Sequence, residues 1–238
     1  DRGGRNARGL AGAVLAAGAL LWSAFQLWYA SPLPFSLGFG IFNDTEARAL
    51  HLGIAMFLGY LAYPASKRSA RERVPALDWA LAIIAGFCGA YLYLFYNELA
   101  ARPGQPIVAD VAVAAVGLVL LLEVTRRALG LPMTVLAAVF VLYIFAGPWL
   151  PDALAHRGAS LERLVSHMWL TTEGVYGVAL GVSVSYIFIF VLLGSLLDKC
   201  GAGNYMMQVS FALLGHLRGG PAKVAVVSSA VNGLVSAS

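Results

Sequence analysis

The run Val175-Tyr-Gly-Val-Ala-Leu-Gly-Val-Ser-Val-Ser-Tyr-Ile-Phe-Ile-Phe-Val-Leu-Leu-Gly-Ser-Leu-Leu197 contains no charged side chain. About 20 apolar residues in a helix suffice to cross the hydrocarbon core of a bilayer. The run does not alternate as a barrel strand would, and an open sheet leaves backbone groups unsatisfied in lipid. It therefore reads as a membrane-spanning helix. Five similar runs precede it: Leu10–Ala30, Ala47–Ala65, Trp79–Leu99, Ile107–Val124 and Leu131–Leu150. A seventh starts near Ala222. The expected fold is all-α: a polytopic integral membrane protein with six transmembrane helices.

Composition points the same way. Of 238 residues, 60% are hydrophobic and only 12% charged, with a mean hydropathy of +0.77. Soluble domains carry about 25% charged residues, so this chain has too few to cover a surface in water. A lipid bilayer is the solvent that fits. The formal charge of +4 is small and scattered, and no nucleic-acid partner is expected. Cys88 and Cys200 stand alone without ligand spacing and read as reduced packing residues. The first run exceeds the roughly 7–15 residues of a signal-peptide core and reads as a retained span. Asp1 and the apolar end at Ser238 read as cut ends.

Cations set the expected orientation. Arg2, Arg5 and Arg8 precede the first run; Lys67, Arg68, Arg71 and Arg73 follow the second; Arg126 and Arg127 end the fourth; Lys199, Arg218 and Lys223 follow the sixth. Alternating spans put all four sites on one side. The opposite loops are poorer in cations, so the positive-inside rule places the N-terminus in the cytoplasm. Trp28, Tyr29, Trp79, Tyr96 and Trp149 stand at run ends, where amphipathic rings favour the interface. Two further segments are amphipathic: one carries Leu161, Leu164, Val165, Met168 and Trp169, the other runs from Tyr205 to Leu214. Each either lies in the headgroup plane or packs against other helices of the protein.

The C-terminal stretch carries the polar signal. Gly219-Gly220-Pro221 suits a helix start. Ser228, Asn232 and Ser236 follow at i, i+4 spacing and share one face. A polar stripe on an apolar membrane helix points into protein or a cavity. Gly233, Ser236, Ala237 and Ser238 are small enough to let the helix break, and broken helices expose carbonyls and helix ends to ions and anionic solutes. The other reading is a Ser/Gly face for close helix packing.

The segments Leu170-Thr-Thr-Glu-Gly-Val-Tyr-Gly177, Gly181-Val-Ser183, Phe190-Val-Leu-Leu-Gly194, Gly201-Ala-Gly203, Arg218-Gly-Gly-Pro-Ala-Lys-Val-Ala225 and Ser236-Ala-Ser238 resemble the membrane component of tripartite ATP-independent periplasmic (TRAP) transporters. The likeness is to the fused permeases, four spans joined to twelve, that work with TAXI-type binding proteins. Leu131–Arg163 matches more loosely, and the first four spans match in number and placement. The resemblance implies residues 1–128 as a small-subunit-like four-helix module and 129–238 as the start of the large transport module. It implies a bacterial inner-membrane permease, sodium as coupling ion, and a small organic anion delivered by a periplasmic binding protein. It also implies an elevator-like shift of the large module against a scaffold that includes the first four spans. The resemblance makes the seventh run the start of a re-entrant helical hairpin, beginning near Ala222; carried over by position, its sodium and substrate site would use Ser236 and Ser238, with Asn232, Gly233 and Ser229 behind them. Ala237 replaces the glycine of the family's Ser-Gly-Ser-Ser. A second, inverted half is expected to follow, without which residues 1–238 would not transport.

Other motifs lead nowhere chemical. Gly215-His-Leu-Arg-Gly-Gly220 has P-loop glycine spacing, but Pro221 takes the lysine position. Gly201-Ala-Gly203 reads as a helix cap. His51, His156, His167 and His216 lack metal spacing and read as structural or interfacial. Glu123 lies three and four residues before Arg126 and Arg127, so a local ion pair explains it, with a proton relay as the second reading. No enzyme is expected, because no nucleophile–base pair or metal cluster stands out. A membrane-embedded enzyme without a recognisable motif and a non-catalytic membrane scaffold remain the alternatives to a transporter.

Overall fold

The computed structural model describes residues 4–66, 69 and 71–236, with the backbone alone at 231, 232 and 234–236. Regular structure among these residues is entirely helical. The principal helices are α1 (Leu10–Ala30), α2 (Asp44–Ala62), α3 (Ala76–Leu94), α4 (Val108–Ala128), α5 (Leu131–Ala146), α6 (Leu161–Leu170), α7 (Val178–Lys199), α8 (Ala202–Leu214) and α9 (Gly220–Ser236). Short helical turns lie at Leu33–Leu37, Tyr96–Ala100 and Gly147–Trp149. The chain divides into two compact units, Asp1–Gly181 and Val182–Ser238.

Five helices are long and apolar enough to cross a membrane: α1, α3, α4, the α5 helix with its final turn to Trp149, and α7. They correspond to five of the six expected runs, and the chain is a multi-pass membrane protein. The remaining run forms α2, which is as long as α3 but less apolar. Asp44, Glu46 and Arg48 occupy its first turn and a half, and His51 comes next. A lipid-facing helix would pay heavily for those groups. Helix α2 is instead enclosed, with Ala47, Ala49, Met56, Tyr60 and Leu61 among its buried residues. Its polar start is locked by reciprocal capping: the Asn43 side chain accepts from the Glu46 N–H at 2.9 Å, and the Asn43 N–H donates to Glu46 at 2.9 Å.

Small residues let α2 and α3 approach closely. A Cβ built on Gly89 would stand 2.7 Å from the Gly53 Cα, and one on Gly53 would stand 3.0 Å from the Ala90 nitrogen. Lipid offers no hydrophobic drive between helices, so backbone proximity and dispersion do the work there. Around this crossing lies the core of the first unit: Leu52, Met56, Ala85, Leu92, Leu120, Val124, Val165, Trp169 and Tyr176.

Helix α6 belongs to that core, as the packing reading of its amphipathic pattern expects. Leu164, Val165 and Trp169 are buried, while Leu161 is exposed. The Trp169 indole N–H donates to the Cys88 carbonyl at 3.1 Å, and its ring meets Tyr176 edge-on at 5.6 Å. The Tyr176 hydroxyl donates to the Gly89 carbonyl at 2.9 Å. These bonds anchor the approach to α7 onto α3. By contrast, α1 buries only Ala11 and Gln26 along its length.

In the second unit, a π-helical turn spans Ser183–Ile187 before α7 resumes as regular helix. Gly201 takes a left-handed conformation, φ 79°, and ends α7, the cap its sequence suggests. Gly219, φ 72°, precedes α9, and its carbonyl accepts from the N–H groups of Ala222 and Lys223, at 3.1 and 3.2 Å.

Candidate functional site

The C-terminal polar helix falls in the second unit. Gly220, Val224 and Ser228 are buried at i, i+4 spacing, so this face of α9 packs within the unit. Positions 232 and 236 continue the same register along the backbone. Ser229 and Gly233 stand one residue round the helix and are exposed. Ser238 lies outside the described residues. The sequence-derived set is therefore split by the helix: Asn232 and Ser236 share a face register with buried Ser228, and Ser229 and Gly233 do not. The backbone stays helical through Gly233 to Ser236, so the expected break does not fall there. One glycine costs an exposed helix about 1 kcal/mol and need not end it. Positions 237 and 238, where the break was also expected, lie outside the described residues.

Three polar clusters organise the first unit. The first was only partly foreseen. Asp78, buried in the first turn of α3, accepts from Arg5 and, at 2.8 Å, from Arg127. Arg127 also donates to Glu123 at 2.8 Å and lies 4.7 Å over the Tyr60 ring. Arg126 grips Glu123 through two bonds of 2.7 Å and reaches the Ala65 carbonyl at 3.0 Å. The local pairing of Glu123 with its two arginines is as the sequence suggests. The bridge through Asp78 to Arg5 is not legible from spacing, because its members are 49 and 73 residues apart. The cluster gathers the chain before α1, the start of α3 and the end of α4 at one end of the unit. Three of the cationic sites used to infer orientation thus begin or end on a common side.

The second cluster lies between α1 and α2. His51 Nδ1 accepts from the Trp22 indole at 3.1 Å and meets the Gln26 amide. Both Gln26 and His51 are buried. His51 is thus a structural histidine. His156 and His167 are likewise bound locally, to the Tyr143 carbonyl and near Glu173.

The third cluster stands at the opposite end of α3 and α4. Fully buried Asp110 accepts from the Tyr91 hydroxyl at 2.7 Å, Arg102 at 3.1 Å and the Ile107 N–H at 3.0 Å. Beside it opens a cleft of about 720 Å³ between the 96–106 segment, the end of α3 and α6. Spacing along the sequence gives no sign of the cleft, because its walls come from separate segments.

Among the described residues no three His, Cys, Asp or Glu side chains converge to hold a metal ion. The family model described as "Tripartite ATP-independent periplasmic transporter, DctM component" matches residues 116–238. No curated protein and no solved structure matches the chain.

Proposed function

The chain belongs to the DctM permease component of the tripartite ATP-independent periplasmic transporters, and on that premise we propose that it imports a small organic anion on a sodium gradient. The family is one of transporters, not enzymes, and membership implies a periplasmic solute-binding protein as partner. The finer reading makes that partner a TAXI-type protein and the permease the fused kind. The observation behind it is that the match starts at residue 116, so three membrane-length helices and the start of α4 stand ahead of it. They fit a scaffold module over residues 1–128, with the transport module from 129.

In this reading the permease sits in the bacterial inner membrane with its N-terminus in the cytoplasm. The clustering of Arg5, Arg126 and Arg127 at one end of the first unit supports that orientation. Sodium and the solute meet at the hairpin begun by α9, through Ser236, Ser238 and Asn232, with Gly233 and Ser229 close by in sequence. What supports this is the buried Ser228 face of α9, whose register leads to positions 232 and 236. A polar face in a membrane helix is costly unless it meets protein, water or a ligand.

The test is uptake by the full-length permease in proteoliposomes, supplied with its binding protein, with and without an inward sodium gradient. Uptake should require the gradient. Equal uptake in both conditions rules out sodium coupling. Asn232→Ala and Ser236→Ala should each lower sodium-driven uptake at least about tenfold, the loss of roughly 1.4 kcal/mol of binding; unchanged uptake in both variants removes the hairpin assignment.

A further inference from the structure

We infer that the cleft beside Asp110 is a binding site for a single oxyanion, a carboxylate or phosphate, carried on a small apolar body. The inference does not depend on sodium coupling or on the hairpin site. Its volume of about 720 Å³ lies within the range of small-molecule sites. Leu92, Leu99 and Leu170 give it apolar wall, and Arg102, Arg163 and Ser166 give it donors.

Two donors in its wall lack a partner. Asp110 is already saturated by Tyr91, Arg102 and the Ile107 N–H. Arg102 spends only one nitrogen on it, and its Nε is buried without a partner. Ser166 Oγ, across the cleft on α6, is likewise buried without a partner. Arg163, exposed at the rim, forms no ion pair among the described residues. Buried donors left unsatisfied are costly. The Arg102 side chain is about a quarter exposed and Arg163 stands open at the rim, so two guanidiniums face the cleft, and a guanidinium matches a carboxylate or phosphate in shape as well as charge. Glu162, also on the rim, bears a negative charge and disfavours a polyanion. The ligand therefore carries one oxyanion and an apolar portion against the leucines.

Two sources offer that chemistry: a free organic acid and the headgroup of an anionic lipid. Native mass spectrometry separates them. The full-length permease is released from mixed phosphatidylcholine and phosphatidylglycerol micelles, with and without added benzoate. Retained phosphatidylglycerol in preference to phosphatidylcholine supports the site with a lipid occupant; retained benzoate supports it with a free acid. In either case Ser166→Val and Arg163→Gln should each cut retention about tenfold, the loss expected for one hydrogen bond to a charged acceptor. Arg157→Gln, an exposed arginine outside the cleft, should leave retention unchanged. The site is overturned if neither anion is retained, or if the Ser166 and Arg163 variants retain as much as the unaltered permease. Arg163 is exposed, so its variant folds whether or not the site is real.

Discussion

At Asp78 two guanidiniums converge on one carboxylate whose side chain is only 5% exposed. Without it Arg5 would lose its carboxylate and Arg127 would keep only Glu123, and an unpaired buried charge costs several kcal/mol. Asp78→Asn should therefore destabilise the protein by about 3–5 kcal/mol, read as lowered thermal stability in detergent. Arg8→Gln, whose contact to Glu72 is 4.0 Å between exposed side chains, should change nothing measurable. Equal stability of the two variants would mean that the cluster is not a tie. The Gln26–His51 couple is a gentler case. Hydrogen bonds between membrane helices average about 0.6 kcal/mol, so Gln26→Leu should cost little in overall stability and act mainly on how α1 seats on α2. Cross-linking between α1 and α2 would read that seating.

For single elements, hydropathy was a good guide to where helices lie and a poor guide to what they touch. The uncharged run after Val175 forms α7 nearly as read. Cation spacing also located Glu123 with Arg126 and Arg127. Helix α2 was legible as a helix, and its polar start argues against a lipid-facing position; how closely it meets α3 follows from glycines and alanines on two helices meeting, which no single-helix pattern shows. The amphipathic stretch at 161–169 left membrane surface and protein packing equally open, and burial of Trp169 decides for packing. The cleft and the Asp78 bridge were invisible because each is assembled across segments distant in sequence. On α9 the i, i+4 stripe is legible in Ser228, whereas Ser229 and Gly233, carried over through the family resemblance, stand at exposed positions. Two tests belong here. Gly89→Leu should drive α2 from α3 and abolish a folded product, whereas Gly104→Ala, in a turn with nothing near its Cβ position, should cost only the strain of its positive φ. Trp169→Ala should cost about 3–5 kcal/mol through the cavity it leaves, lowering the melting temperature in detergent; an unchanged melting point would show that α6 is not part of the core.

At the scale of the whole molecule, the orientation proposed above, with the N-terminus in the cytoplasm, is one that labelling can check. In a Cys200→Ser background, Ser36→Cys should react with a membrane-impermeant maleimide added to intact cells. Glu72→Cys should react only after the inner membrane is opened. The reverse pattern would turn the permease over, and with it the side on which the cleft beside Asp110 opens. Beyond topology stands transport itself. Proteoliposomes holding the full-length permease should accumulate solute only when the periplasmic binding protein is supplied, and without ATP inside or out. Accumulation that needs no binding protein, or that starts only when ATP is added, would contradict the assignment of this chain as a TRAP permease at work.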